Sequence, residues 1–442
     1  MKIFFISLGC DKNLVDSEEM IGLLTANGHS ITNNEAEAEA IIINTCCFIH
    51  DAKEESIHSI LEMARFKTDG VCKKLIVCGC LSTRYKDEIL EEIPEIDVIM
   101  GTSSIDRVLE AIEEDDRVYM DKLERLPIVK ADRISVTGGW YEYLKIAEGC
   151  SKNCTYCIIP KVRGPYRSYP AEYVYERAKD LVAAGAKEIV LVAQEVTAYG
   201  TDMPGRKKLL TKLIKGLAMI NGLKWIRLLY CYPEEITDDL IYLMKNEPKL
   251  LHYIDMPIQH ASDPILKAMG RKTDKKSIEK IIEKLRREIP DICIRTTLIS
   301  GFPGETDYDH DVLKDFVKYN RFDRLGVFEY SEEEGTPAAG FSHKVDPGVI
   351  FTRRNEIMEL QQEISAGISK SVIGKTMELI VDGYLPEDDV YVCRSYRDAP
   401  DVDGQVFVAP GDILGRDIVS GTFIKARITQ ATEYDLMGEA VM

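Results

Sequence analysis

Short apolar runs alternate with longer amphipathic stretches through about the first 115 residues of the chain. The apolar runs are continuous and end at polar or turn residues, which is typical of buried β-strands. They lie at residues 3–7, 41–44, 75–77 and 98–100. The stretches at 15–27, 51–66, 83–92 and 105–113 have helical spacing, with Asp16, Ser82 and Ser104 as predicted N-caps. This alternation predicts an open α/β sheet, with parallel strands favoured.

The same alternation continues with longer helices from residue 142 to about residue 330. Strands are predicted at 143–147, 188–192, 225–230, 253–256, 292–297 and 326–330. Helices are predicted at 171–184, 207–219, 236–245, 275–287 and 307–318. Six strand–helix units predict a parallel (β/α)6 partial barrel, smaller than the eight-fold barrel.

A different pattern closes the chain. A charged amphipathic helix is predicted at 347–371, and five short alternating runs follow it, which predict a small antiparallel β-barrel. These runs lie at 377–381, 390–393, 406–408, 422–429 and 435–441. We therefore expect a multidomain α/β protein with domains at residues 1–117, 136–366 and 369–437, and a polar connector after the first.

Composition and charge narrow the function classes. The 442 residues carry a net charge of −18, which favours a basic partner and makes direct binding of nucleic acid unlikely. The sequence has no apolar run of the roughly 18 to 20 residues that span a membrane, and it begins without a signal-peptide pattern. We therefore expect a cytoplasmic protein with no membrane partner. Twelve cysteines in such a chain favour metal or redox chemistry over disulfides.

Three cysteines lie within eight residues of each other: Cys150, Cys154 and Cys157. Thiolates at this spacing select zinc or an iron–sulfur cluster. A structural zinc site needs four protein ligands, whereas this loop supplies three and would leave one metal position open. The alternatives are a fortuitous group of cysteines and a zinc knuckle with a distant fourth ligand.

A second trio is more widely spaced. Cys10, Cys46 and Cys80 each follow a predicted strand of the first sheet, and the carboxyl ends of parallel strands share one edge. The three thiols could therefore meet, or they could be scattered buried cysteines. The neighbouring cysteines complicate the choice, and they are Cys47, Cys72 and Cys78.

Several motifs carry a family resemblance. The Cys150 loop, with Tyr156 before its last cysteine, resembles the signature of the radical S-adenosylmethionine (SAM) enzymes. The segments 7–18 (SLGCDKNLVDSE), 44–46 and 79–81 resemble the cysteine motifs of the methylthiotransferase family, although Asp11 stands where proline is usual. The last domain resembles the TRAM domain, so the resemblance covers nearly the whole chain.

The resemblance implies two 4Fe–4S clusters, one for each cysteine trio, with SAM bound to the open iron of the Cys150 cluster. It implies catalytic roles for Cys150, Cys154 and Cys157. It implies cofactor-binding roles for four further residues: Tyr156, Gln194, Glu195 and Arg295. The implied reaction replaces C–H by C–S–CH3: one SAM yields a 5′-deoxyadenosyl radical, and a second donates the methyl group. A reductant such as flavodoxin or ferredoxin is implied as the electron donor.

Members of this family differ in the class of substrate that they modify. One branch modifies an aspartate at its β-carbon in a basic small-subunit ribosomal protein of the decoding centre, and another modifies an adenosine of transfer RNA. The segments 7–18 and 326–337 resemble the protein-modifying branch. Residues 373–442 carry a net charge of −7, which would repel RNA and attract that protein. We expect acids there to contact it: Asp388, Asp389, Asp401 and Asp403. The alternatives are the transfer-RNA reaction and a non-enzymatic iron–sulfur sensor.

Overall fold

A computed structural model describes residues 1–205, 207–409 and 418–441. The first domain is a parallel six-stranded sheet in the order β2-β1-β3-β4-β5-β6, as predicted. Its strands are β1 (Lys2–Ser7), β2 (Ser30–Ile31), β3 (Ala40–Thr45), β4 (Lys74–Gly79), β5 (Val98–Met100) and β6 (Val118–Tyr119). Its helices are α1 (Asp11–Ala26), α2 (His50–Ala64), α3 (Phe66–Asp69), α4 (Cys80–Arg84), α5 (Lys86–Glu92) and α6 (Val108–Glu113).

Two of the three predicted N-caps are wrong, and the third is confirmed in its position alone. Helix α1 begins directly after Cys10, so Asp16 lies inside the helix and is buried. Ser82 lies inside α4, where its hydroxyl donates to the backbone oxygens of Gly79 and Met100. Ser104 precedes a short 3-10 turn but makes no capping hydrogen bond. These side chains contact residues that are distant in the sequence and do not cap a helix, and no local pattern predicts such contacts.

The second domain contains six parallel strands in the order β7-β10-β11-β12-β13-β14, which confirms the open (β/α)6 arrangement. The strands of this region are β7 (Tyr141–Lys145), β8 (Ala147–Glu148), β9 (Arg167–Ser168), β10 (Glu188–Val192), β11 (Trp225–Leu228), β12 (Leu250–Asp255), β13 (Cys293–Ser300) and β14 (Arg324–Glu329). The helices are α7 (Ile159–Val162), α8 (Ala171–Ala184), α9 (Leu210–Ala218), α10 (Asp238–Asn246), α11 (Asp263–Ala268), α12 (Lys275–Glu288), α13 (Asp307–Asn320) and α14 (Pro347–Lys370).

The last domain is a closed five-stranded barrel. Its strands are β15 (Thr376–Leu385), β16 (Val390–Ser395), β17 (Val406–Ala409), β18 (Phe423–Ala431) and β19 (Leu436–Val441). The pairing is antiparallel, as predicted, except that β17 and β19 run parallel to each other. Three charged residues counted in the domain's net charge lie outside the described part of the chain: Asp412, Arg416 and Asp417.

The three domains meet around the inner face of the second sheet. Val15 of α1, Tyr253 of β12 and Ile380 of β15 belong to one apolar cluster, so both flanking domains pack against this sheet. The last domain is also held by a buried ion pair between its Arg394 and Glu188 of β10, at 2.7 Å, and Glu188 is paired within the second domain with Arg227 at 2.6 Å. The N-terminal domain packs through α1 against β7 and through α4 against α7. Among the described residues, no helix has the length and apolar character that a bilayer span requires.

This packing narrows the expected acidic contact surface. Asp401 accepts a hydrogen bond from Tyr141 Oη at 2.7 Å, and Asp403 accepts one from Tyr253 Oη at 2.7 Å. Both carboxylates thus contact the second domain. Asp388 and Asp389 are exposed in the turn between β15 and β16. The side chain of Asp403 is buried, whereas Asp401 remains exposed despite its hydrogen bond. The predicted surface for a basic partner therefore loses Asp403 and keeps Asp388, Asp389 and Asp401.

Candidate active site

The structure brings the widely spaced cysteines together. Cys10 precedes α1, Cys46 follows β3, and Cys80 begins α4, and their strands are neighbours in the sheet. Gly9 has a φ of +92°, and a Cβ atom at this position would lie 2.8 Å from Cys46 Sγ. A glycine is therefore needed for the Cys10 loop to approach Cys46.

The electrostatics of this trio suit a metal cluster. Burial, with a contribution from the neighbouring Cys80 and Cys10 side chains, raises the pKa of the Cys46 thiol to about 12. Burial also raises the pKa of Cys80. Thiolates gathered in a buried site repel each other, and bound iron would relieve that repulsion as it displaces the protons. The donor set therefore fits an iron–sulfur cluster.

The other three N-terminal cysteines pack as apolar side chains. Cys47 and Cys72 lie in one buried cluster of the domain, and Cys78 lies in another on the opposite side of the sheet. Burial raises the pKa of each of these thiols. Cys47 also feels the charge of Cys80, so it lies near the trio.

The second trio lies on the loop between β8 and α7. Gly149 opens this loop at a φ of +72°, and a Cβ atom there would lie 2.2 Å from the backbone oxygen of Pro165. Cys150 N donates to Gly164 O at 3.1 Å, and Cys157 N donates to Cys154 O at 3.1 Å. Burial raises the pKa of Cys150 to about 11 and that of Cys157 to about 12. Each thiol also feels the charge of Cys154, so the three lie close together.

Neither trio resembles a site for one metal ion. Within residues 1–205, 207–409 and 418–441, no three His, Cys, Asp or Glu side chains are placed to hold a single ion. A zinc knuckle would require such a group. The thiolates of an iron–sulfur cluster bind different irons, so they need not converge on one point.

Unpartnered polar atoms lie at the carboxyl ends of the barrel strands. Gln194 Oε1 follows β10, Ser300 Oγ ends β13, and Tyr330 Oη follows β14. All three atoms are buried and have no hydrogen-bond partner among the described residues. Buried polar groups are normally hydrogen-bonded, so this edge is suited to a polar ligand such as SAM.

Glu195 and Tyr156 lie beside the Cys150 loop. Glu195 is 3.5 Å from Lys152 Nζ, and burial outweighs that ammonium and raises the pKa of Glu195 to about 7. The ring of Tyr156 packs edge-on against Phe302, and burial, with the nearby Cys154 side chain, raises the pKa of its hydroxyl. Both predicted residues are thus within reach of the loop that would hold the cluster.

Arg295 is placed differently from the other predicted cofactor residues. Its Nη1 atom donates to Asp255 at 2.8 Å, and its Nε atom lies 3.7 Å from Asp403 of the last domain. Asp255 also accepts from the backbone N of Tyr230 at 2.9 Å. Arg295 therefore connects the barrel to the last domain, and its guanidinium already has carboxylate partners.

Arg163 connects the two trios, and sequence reasoning missed it. Its guanidinium is buried and donates to Cys80 Sγ at 3.4 Å and to Asp16 at 2.9 Å. It also donates to both carboxylate oxygens of Glu148, which is two residues before Cys150, at 2.9 and 3.0 Å. Lys145 pairs with the same two carboxylates. In the sequence, Asp16 is one of several polar residues on its face of α1, with Lys12, Asn13 and Glu19, and nothing local marks it as the partner of Arg163.

This buried network is electrically balanced. Two cations, Arg163 and Lys145, face two carboxylates, Asp16 and Glu148. Burial alone would raise the pKa of Glu148, but the two cations outweigh burial and lower the pKa to about 2. The carboxylate therefore stays ionised and fixes the segment before Cys150 against the N-terminal domain.

Charged and strained residues lie next to Cys10. Lys12 Nζ is 2.6 Å from Asp11 and 3.4 Å from the centre of the Tyr230 ring. Tyr230 follows β11 with a φ of +57°, which is rare for a residue with a side chain. Asp11, the departure from the family motif, thus begins α1 and holds the Lys12 ammonium at the carboxyl end of a barrel strand.

Comparisons with known proteins agree with this architecture. Family models match at residues 2–101 (Uncharacterized protein family UPF0004), 144–317 (Radical SAM superfamily) and 373–441 (TRAM domain). The chain is 53% identical to the "Ribosomal protein uS12 methylthiotransferase RimO" of Lachnoclostridium phytofermentans, and the alignment covers 100% of both chains. It is 47% identical to the protein of the same name from Geobacter sulfurreducens, over 100% of this chain and 98% of that one.

Solved structures with a similar fold are much more distant in sequence. The radical SAM methyltransferase TsrM from Kitasatospora setae, with cobalamin and a 4Fe–4S cluster bound, matches with a TM-score of 0.57 at 13% identity. That match covers 76% of each chain. The cobalamin-dependent SAM radical enzyme OxsB matches with a TM-score of 0.53 at 11% identity, over 82% of this chain and 56% of that one. At these identities the matches show the fold alone.

Proposed function

The chain belongs to the RimO family of ribosomal protein uS12 methylthiotransferases, and we propose that it replaces a C–H bond on the β-carbon of a uS12 aspartate by C–S–CH3. The observation that carries this proposal is the junction of two three-cysteine sites through one buried arginine, Arg163. Such a junction suits a reaction that needs two centres, one to break the C–H bond and one to supply sulfur. The reaction belongs to the cytoplasm, where ribosomes work.

The cysteine trios would hold the two clusters, with three thiolates each. Cys150, Cys154 and Cys157 would leave one iron of their 4Fe–4S cluster open for SAM, and Cys10, Cys46 and Cys80 would hold the second cluster. When bound, the clusters and SAM supply one-electron cleavage, sulfur and the methyl group. An electron carrier such as flavodoxin or ferredoxin would supply the electron.

The chain's own residues would bind and orient the reactants. The buried oxygens of Gln194 and Ser300 would give the polar groups of SAM hydrogen-bond partners that the protein itself does not supply. Glu195 would lie beside the methionyl end, held by Lys152. Arg163 would hold the second site rigidly against the first, so that both reach the same carbon.

The acidic character of the chain supports a basic protein substrate over RNA. The exposed turn between β15 and β16 carries Glu387, Asp388 and Asp389, and the last domain has a net charge of −7. A negative surface attracts a basic protein and repels phosphates. The full-length relatives, which are named as methylthiotransferases of uS12, support the same substrate.

The experiment expresses the chain in a bacterial strain that lacks its own uS12 methylthiotransferase. We expect mass spectrometry to find a methylthio group on a uS12 aspartate and no change in transfer RNA. The variants Cys10→Ala and Cys150→Ala serve as controls, and each should leave uS12 unmodified. A methylthio group found on transfer RNA and absent from uS12 would contradict the proposal.

A further inference from the structure

A basic surface lies beside the Cys150 loop, on the segment from α11 to the end of α12. Residues 263–288 contain nine Lys and Arg and five Asp and Glu, a net charge of +4 in a chain whose net charge is −18. Four of these lysines are exposed, and their side chains make no hydrogen bond or ion pair among the described residues: Lys267, Lys272, Lys276 and Lys280. The segment is therefore locally positive on an acidic protein.

The acidic residues nearest to these lysines are occupied by the backbone. Asp263 accepts the N–H of Lys275 at 2.7 Å, and Asp274 caps α12 by accepting the N–H of Ser277 at 2.7 Å. Glu279 lies 3.8 Å from Lys275 on the same helix. These carboxylates thus have partners of their own, and the exposed lysines remain available to an external anion.

The basic surface contacts the cluster loop directly. Thr155, which lies between Cys154 and Tyr156, donates its backbone N–H to Met269 O at 2.9 Å and its hydroxyl to Ala268 O at 2.8 Å. An open pocket of about 490 Å³ lies in this surface, with Lys267 and Lys272 among its lining residues. Arg271 and three carboxylates, Glu234, Asp263 and Asp274, also line this pocket. Two of the four lysines therefore lie at a depression in the segment that hydrogen-bonds the loop of the first cluster.

We propose that this basic surface docks an acidic one-electron carrier protein, which reduces the cluster held by Cys150, Cys154 and Cys157. The proposal rests on the proposed function, because that reaction needs an external electron. In the docked complex the carrier loses one electron and the cluster gains one, with no proton or atom transferred. Much of the remaining surface would repel an acidic carrier, so this patch would steer its approach.

An RNA phosphate backbone is the competing occupant of a basic surface. The position of the surface favours the electron carrier. The backbone oxygen of Met269 in this surface accepts a hydrogen bond from Thr155, the residue after Cys154. Electron transfer requires such a short path to the cluster, whereas binding of a phosphate backbone does not.

The test uses the iron-loaded enzyme and a bacterial flavodoxin in its fully reduced form as the probe. Stopped-flow absorbance follows reduction of the cluster in the variant Lys267→Glu, Lys272→Glu, Lys276→Glu. At low ionic strength we expect at least about a tenfold lower rate than in the wild type, and a weaker dependence on salt. A matched control reverses three exposed lysines on or beside α9: Lys212, Lys215 and Lys224.

The control variant should react with flavodoxin at the wild-type rate, and excess dithionite should reduce both variants completely, which would show that their clusters are intact. Equal flavodoxin rates in the two variants would overturn the proposal. Loss of affinity for a ribosomal RNA fragment, with an unchanged flavodoxin rate, would also overturn it. Absence of uS12 modification would refute the proposed substrate without affecting these rates, so the two failures are distinguishable.

Discussion

Replacing Arg163 with methionine should loosen the junction between the two cysteine trios. The Arg163 side chain is 1% exposed and donates to Asp16 and Glu148, which are each 2% exposed. Without the guanidinium, Lys145 is the one remaining cation of the network, and the buried charge changes from zero to −1. Cys80 also loses the N–H group that contacts its sulfur.

The size of this effect follows from the burial of the pair. Removing one partner of a buried ion pair costs about 3–5 kcal/mol, because the remaining charge is left without compensation. Here two carboxylates and the Asn13 side chain lose a donor at once, so we expect about 5 kcal/mol, at the upper end of that range. Since the domains of most proteins are stable by about 5–15 kcal/mol, α1 should open far more often.

Hydrogen exchange of the α1 amides measures this opening, and iron analysis measures the second cluster. In Arg163→Met we expect faster exchange across α1 and partial loss of iron. The double variant Arg163→Met, Glu148→Gln removes one charge of each sign, so it should recover part of the protection. Arg394→Met is the matched control, because it breaks a buried pair between Arg394 of the last domain and Glu188 of β10, away from both cysteine trios, and should leave the iron content unchanged.

Two results would refute this reasoning. If the α1 amides of Arg163→Met exchange at the wild-type rate and the variant binds its full iron content, the network does not hold the trios together. Equal iron loss in Arg163→Met and Arg394→Met would show that the effect is general destabilisation.

Three further predictions concern other positions. Gly149→Ala should prevent loading of the first cluster, because the added Cβ would lie 2.2 Å from a backbone oxygen. Gly340→Ala is the control, since a Cβ there meets open space and the cluster should load normally. Iron content measures both outcomes. Burial raises the pKa of Glu18 from 4.5 to about 7. The protonated side chain therefore stabilises the fold below pH 4.5, and this contribution, about 3 kcal/mol at most, is lost as the pH rises through 7. Unfolding curves of Glu18→Gln measured across this range should lack that pH dependence. Asp403→Ala should lower the unfolding temperature, because it removes the acceptor of the Tyr253 hydroxyl. Asp388→Ala, at an exposed position, should leave the unfolding temperature unchanged. It should weaken the binding of uS12, and the loss of affinity should shrink as the salt concentration rises.

The sequence predicted the strands of both α/β domains well because buried parallel strands are short and apolar on both faces. The run at 188–192 coincides with β10 (Glu188–Val192), and the run at 98–100 coincides with β5 (Val98–Met100). Sheet topology makes the meeting of Cys10, Cys46 and Cys80 possible, but local spacing alone does not distinguish it from scattered buried cysteines.

The partners of polar residues could not be predicted. Asp16 reads as a helix cap because aspartate commonly caps helices, but its carboxylate pairs with Arg163, which is 147 residues away in the sequence. Asp403 reads as a surface acid, but its carboxylate accepts the hydroxyl of Tyr253 across a domain interface. In both cases the decisive contact joins different domains, and no local pattern encodes such a contact.

The most direct test of the account is the iron and sulfide content of the anaerobically reconstituted protein and of two variants. Each variant replaces one complete trio with alanine: Cys10, Cys46 and Cys80 in the first, and Cys150, Cys154 and Cys157 in the second. The account predicts about eight irons per chain in the wild type and about four in each variant, because each trio would hold one 4Fe–4S cluster. A wild-type protein that binds about four irons, or a variant that still binds about eight, would contradict it.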